Sequence, residues 1–281
     1  MHAPTRPRSS RTAMAALLAA VGLLVASVGP AAARPPGPPI LPALAGIVTD
    51  ACTGLPILGG LDVSVVGPDG RPVKPPNPNR LGLFSFPSLA PGAYQLLVSA
   101  PGYSALGAAP ATGGSPGVTV TRPPGPPNLP AGQSFSIGLV LAIGLAPTVT
   151  PGTCKPPNPN LPALAGRGVD AATGRGLAGL VVGMAPLVID PTTGALPPGP
   201  PILPAFSPLF GLFVFPALAP GDYLFSASAP GHLALGDDPT KPPNPNGPGV
   251  TVTMPPGPPN LPTGQSVSEG LVLSVALPAV Q

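Results

Sequence analysis

The side chains that could do chemistry in this 281-residue chain are few: two histidines, His2 and His232, two cysteines, Cys52 and Cys154, one glutamate, Glu269, and eight aspartates. A zinc centre needs His, Cys or carboxylate ligands converging around an open position. His232 with the neighbouring Asp237 and Asp238 could hold a cation weakly, but a solvated turn explains the trio more simply. A Ser-His-Asp arrangement would have to recruit the same His232, and no G-x-S-x-G elbow is present to hold a nucleophile. With Glu269 as the single glutamate, aspartates would have to serve as both acid and base. Neither cysteine has a histidine nearby in sequence to generate a thiolate. The residue inventory therefore predicts a non-enzymatic protein with no catalytic residue, no cofactor and no resident metal.

The elements around these residues are repeated. Phe84 to Gly107, FSFPSLAPGAYQLLVSAPGYSALG, recurs as Phe213 to Gly236, FVFPALAPGDYLFSASAPGHLALG, with 15 of 24 positions identical and no acid or base among the fifteen. Alternating apolar runs punctuated by Pro-Gly turns are the pattern of an antiparallel β-sheet. Upstream, LPALAGIVTDACTG (Leu41 to Gly54) aligns with LPALAGRGVDAATG (Leu161 to Gly174). Each predicts a short strand ending at Asp50 or Asp170. Turn chemistry, the carboxylate accepting from amides ahead of it and a glycine supplying positive φ, explains these aspartates better than metal ligation. Leu61 to Val66 predicts a second strand. Asp190 to Pro208 is an insertion in the second repeat and reads as a surface loop. Tyr94 and Tyr223 follow Pro-Gly turns and predict tyrosine corners, with the ring buried and the hydroxyl bonded to backbone. Downstream, Pro116 to Leu141 matches Pro248 to Leu273 at 22 of 26 positions, predicting two further strands flanking a Pro-rich loop.

Pro (52) and Gly (38) are abundant, yet 43% hydrophobic and 7% charged residues is not the balance that keeps a chain unfolded. Residues 1–33 read as a signal peptide: Arg6, Arg8 and Arg11, an apolar run from Ala13 to Val28, and Ala31-Ala32-Ala33 before cleavage at Arg34. The alternative is an uncleaved segment serving as a membrane anchor, the one route by which the chain would meet a membrane, though for that the run is a little short. No cysteine follows it to take a lipid, and the arginines are not adjacent as a twin-arginine signal requires. The remaining chain is balanced in charge, and its Lys and Arg are scattered singly, which argues against nucleic acid or an anionic membrane as partner. Export permits a disulfide, and closing the long loop between Cys52 and Cys154 would stabilise by about 4 to 5 kcal/mol. The sequence leaves that pairing open, since Ala172 stands where Cys52 would recur. Lys74, Lys155 and Lys241 each precede PPNPN. That placement withholds them from any buried Lys-Asn cross-link and reads as a polyproline II spacer.

Gly46-Ile47-Val48-Thr49-Asp50 with Thr53-Gly54, Gly82 to Tyr94 and Ser99 to Tyr103, repeated as Gly166 to Gly174, Gly211 to Tyr223 and Ser228 to His232, resemble the carboxypeptidase regulatory-like domain. The second copy departs from the pattern at Arg167-Gly168 and His232. The resemblance implies an all-β fold of two tandem seven-stranded antiparallel β-sandwich domains of transthyretin-like form, preceded by a signal helix. The divisions would be a signal peptide at 1–33, a Pro-rich lead-in at 34–40, the first sandwich at 41–146, a Pro-rich linker at 147–160 and the second sandwich at 161–281. Modules of this kind are non-catalytic accessories, and fold does not carry function across them. The function expected is that of a secreted, extracytoplasmic structural or interaction protein contacting envelope or extracellular proteins or itself. The alternative is a carbohydrate-binding module, for which Tyr103, Phe206 and Phe210 are the candidate ligand contacts.

Overall fold

The computed structural model describes residues 41–76, 81–108, 117–125, 129–148, 161–188, 198–204, 211–238, 240–241, 248–257, 261–262 and 264–280. The expected signal peptide and lead-in lie outside these residues. The described residues are all-β, without a helix. In the first repeat the strands are β1 (Leu44–Asp50), β2 (Asp62–Val66), β3 (Pro72–Val73), β4 (Leu83–Phe86), β5 (Gly92–Ser99), β6 (Val118–Arg122) and β7 (Ser134–Leu145). The second repeat supplies β8 (Leu164–Asp170), β9 (Val181–Pro186), β10 (Leu212–Phe215), β11 (Gly221–Ser228), β12 (Val250–Met254) and β13 (Ser266–Leu277). Among the described residues, isolated bridges Met184↔Ile202 and Leu187↔Pro198 stand beside β9 where the first repeat has β3.

Alternation along these strands separates a core face from a wet face. In β5, Tyr94, Leu96 and Val98 are buried while Ala93, Gln95 and Ser99 are exposed, and β11 buries Tyr223, Phe225 and Ala227 in the same register. The F-x-F motif sets both phenylalanines on one face: Phe84 and Phe86 meet edge to face at 6.2 Å, Phe213 and Phe215 at 6.3 Å. Opposite them, Gly46 pairs with Phe84 and Gly166 with Phe213, and each ring occupies the space a Cβ on its glycine would need. The tyrosine corners form as expected, Tyr94 Oη donating to Ala90 O at 2.8 Å and Tyr223 Oη to Ala219 O at 3.0 Å. Sheets β3-β2-β5-β6 and β12-β11-β9 supply core residues to the same apolar cluster as the larger sheet, a β-sandwich-like arrangement.

That larger sheet runs β10-β8-β13-β7-β1-β4 and belongs to both repeats. Its strands correct the expectation of purely antiparallel sheets, because β1 pairs with β7, and β8 with β13, in parallel. Within each repeat the first strand thus has the last beside it in the same direction and the F-x-F strand on its other side antiparallel. The repeats join where β7 and β13 pair antiparallel over Ser134–Gly144 and Ser266–Ala276, with Leu139 opposite Leu271. These two leucines are equivalent in the repeat, so the pairing is symmetric about them. Phe135 of β7 accordingly reaches Phe225 of the second repeat at 5.8 Å.

Two glutamines lock this seam reciprocally. Gln133 Nε2 donates to Ala234 O and Asp237 O, and its Oε1 accepts from Gly236 N. Gln265 Nε2 donates to Ala105 O, and its Oε1 accepts from Gly107 N. Each glutamine thus satisfies the turn of the other repeat. The described residues form one compact unit.

Candidate functional site

The residues singled out for chemistry gather at equivalent turns. Asp50 closes β1, its Oδ1 accepting from Cys52 N at 2.7 Å and Thr53 N at 2.8 Å, with Gly54 at φ 71°. Its Oδ2 accepts from Tyr103 Oη at 2.9 Å. Asp170 closes β8 in the same way through Ala172 N, Thr173 N and Thr173 Oγ1, and there the second oxygen lies 2.9 Å from His232 Nε2. Tyr103 and His232 are thus interchangeable anchors, each tying the Pro-Gly turn after β5 or β11 to the turn after β1 or β8.

The two pairs differ electrostatically. Burial works to raise the Asp50 carboxyl, but the amides of Thr53 and Cys52 and the Tyr103 hydroxyl outweigh it and leave the group below its ordinary value. Burial and the adjacent carboxylate push the Tyr103 hydroxyl up. Asp170 is held down to about 2, chiefly by His232 and then by Thr173. His232 Nδ1 lies 3.0 Å from Pro230 O, so both ring nitrogens face oxygen atoms.

His232 is therefore bound to Asp170 rather than grouped with Asp237 and Asp238. Asp237 is 6% exposed, while Asp238 accepts from Thr240 and pairs with Lys241. Among the described residues no three His, Cys, Asp or Glu side chains are placed to hold a metal ion. Tyr103 is partly buried against the core with its hydroxyl committed to Asp50, so it is not a free stacking platform. Phe206 and Phe210, the other two candidate contacts, lie outside the described residues. Cys52 is disulfide-bonded, and Cys154, the chain's other cysteine, lies outside the described residues.

The structure adds two features. Leu55 (66% exposed), Leu58 (70%) and Leu81 (57%) sit on segments that both bond to Val48 of β1, through Ile57 N to Val48 O and Val48 N to Gly82 O. The signal for Leu55 and Leu58 was the apolar run LPIL in a loop. The second feature is Glu269, whose carboxylate oxygens are buried without a hydrogen-bond partner among the described residues. Its signal was its alignment with Ile137.

No protein-family model and no curated protein matches the chain. A solved structure described as the Bacillus anthracis TIE protein aligns over 73% of this chain and 31% of its own length, at 14% identity and a TM-score of 0.25. This chain thus spans less than a third of that structure.

Proposed function

We propose that the protein is a secreted, non-enzymatic structural or interaction protein built of two carboxypeptidase regulatory-like, transthyretin-like modules of seven-stranded plan, at 41–146 and 161–281. The observation that carries this reading is where the polar side chains are spent. Both Asp50 and Asp170, both tyrosine corners and both seam glutamines are committed to holding backbone turns, while large apolar side chains such as Leu55, Leu58 and Leu203 stand exposed. Contiguous exposed apolar surface marks contact sites, and Leu55, Leu58 and Leu81 stand on segments that both bond to Val48. Its partners are other envelope or extracellular proteins or a second copy. The carbohydrate reading loses Tyr103 to Asp50 and would rest on Phe206 and Phe210.

Light scattering across a concentration series, with a pull-down from envelope extract, tests the proposal. Concentration-dependent association or a retained envelope protein that is lost on Leu55→Ser/Leu58→Ser is expected. A strictly monomeric chain that retains nothing overturns it.

A further inference from the structure

Glu269 occupies a position built for an aliphatic side chain. It lies on β13 opposite Leu141 of β7, and strand alternation puts it on the face shared by Leu271, Leu273, Val275 and Leu277, each at most 1% exposed. Its equivalent in the first repeat, Ile137, is 5% exposed within the core. Both Glu269 oxygens are buried and lack hydrogen-bond partners, and none of the ion pairs among the described residues involves it.

The groups that could compensate its charge are few. β7 carries no titratable side chain, and β13 and β4 carry no other. Asp50 lies at the far end of β1, paired in register with Leu145 and bonded to Tyr103. Tyr94 of β5 donates to Ala90 O, and Asp62 of β2 is paired with Lys74 on the surface. Arg167 of β8 lies opposite Ser274, on the other face of β13 from Glu269. Arg122 of β6 follows the inward alternation of Val118 and Val120 at the place of Met254, and its Nε is likewise buried and unpartnered. It forms no ion pair with Glu269.

We propose that Glu269 makes the seam between the repeats proton-sensitive: the neutral carboxyl stays seated between β7 and β13, and the ionised one draws toward water and opens the ladder around Leu141. An isolated ion is far more costly to bury than a neutral carboxyl. Burial is also the cause that raises Glu269 to about 7. Acid therefore closes the seam and mild alkali loosens it, so the two repeats move from a rigid pair toward a hinged one.

Because Glu269 is the sole glutamate, labelling the whole chain with carboxyl-13C glutamate gives one side-chain signal whose titration needs no variant. A midpoint above about 6 is expected, and a midpoint near the ordinary value of 4.5 overturns the proposal. The second readout is residue-resolved amide exchange, corrected for its intrinsic pH dependence. Protection at Leu141 and Ala142 is expected to fall about tenfold between about pH 5 and 8.5, with β5 and β11 little changed. The fall should vanish in Glu269→Ile and Glu269→Gln and persist in His232→Tyr. A fall unchanged in Glu269→Ile, or spread evenly over the chain, overturns the proposal.

Discussion

Leu139 and Leu271 hold the same position in successive repeats and face each other at the centre of the β7–β13 pairing. An interface in which equivalent residues meet about a central pair has the geometry of a two-fold homodimer, here closed within one chain. Because Phe135 packs on Phe225 across it, neither repeat has a core independent of the other. The chain should unfold in urea as one cooperative unit, with far-ultraviolet circular dichroism and tyrosine fluorescence tracing one transition. Two resolved transitions would show the repeats to be energetically separate.

Gln265 is 8% exposed and serves both Ala105 O and Gly107 N across the seam. Gln265→Ala leaves the part-buried Gly107 amide without its acceptor and strips Ala105 O of one of its two donors, the other being Ala108 N, at a cost of about 1–3 kcal/mol. Gln133→Ala, which releases the turn at Ala234 to Asp237, should cost a similar amount. Denaturation midpoints measure both, and an unchanged midpoint in either variant would mean that water replaces the glutamine without penalty.

Gly46 and Gly166 should tolerate no side chain. A methyl on Gly46 would strike the Phe84 ring and come within 2.7 Å of Leu141 O, and one on Gly166 would strike the Phe213 ring and come within 2.8 Å of Leu273 O. Backbone of the neighbouring strand cannot retreat as a flexible side chain can. Gly46→Ala and Gly166→Ala are each expected to destabilise by about 1–3 kcal/mol or more. Phe84→Leu combined with Gly46→Ala should recover part of the loss if the ring is the main obstacle.

What the sequence showed and what it withheld divide by range. Asp50 caps a turn two and three residues ahead, and Tyr94 bonds back four residues, so composition and spacing exposed both. Tyr103 meets Asp50 across 53 residues, a contact that no local pattern encodes, so the sequence alone offers it as a ligand contact instead. The β7–β13 seam was hidden for a related reason: apart from Glu269 its 12-residue strands are apolar on one face, and the other is lined by Ser, Gly, Ala and a single Val in each strand. That pattern does not distinguish pairing within a repeat from pairing between repeats. Glu269 was visible as one of four differences in 26 aligned positions, but its meaning required knowing that Ile137 is core.

The Asp170 and His232 pair should govern the acid side of the stability profile. Asp170 is lowered from an ordinary 3.8 to about 2, so the unfolded chain takes up its proton first. The stability it contributes is present above about pH 4 and is lost as pH falls through about 2. Asp50, also lowered, adds to the same limb. In Asp170→Asn the thermal midpoint should start lower at neutral pH and decline less between about pH 4 and 2. His232→Tyr recreates the first repeat's pairing at the second turn. It should keep most of the stability at pH 7, while the acid decline of the remaining Asp170 begins at higher pH, because the histidine is the largest cause of its lowering. Thermal scans of the three proteins from about pH 2 to 6 measure this, and an acid limb identical in all of them would show the pair to be a packing contact without electrostatic weight.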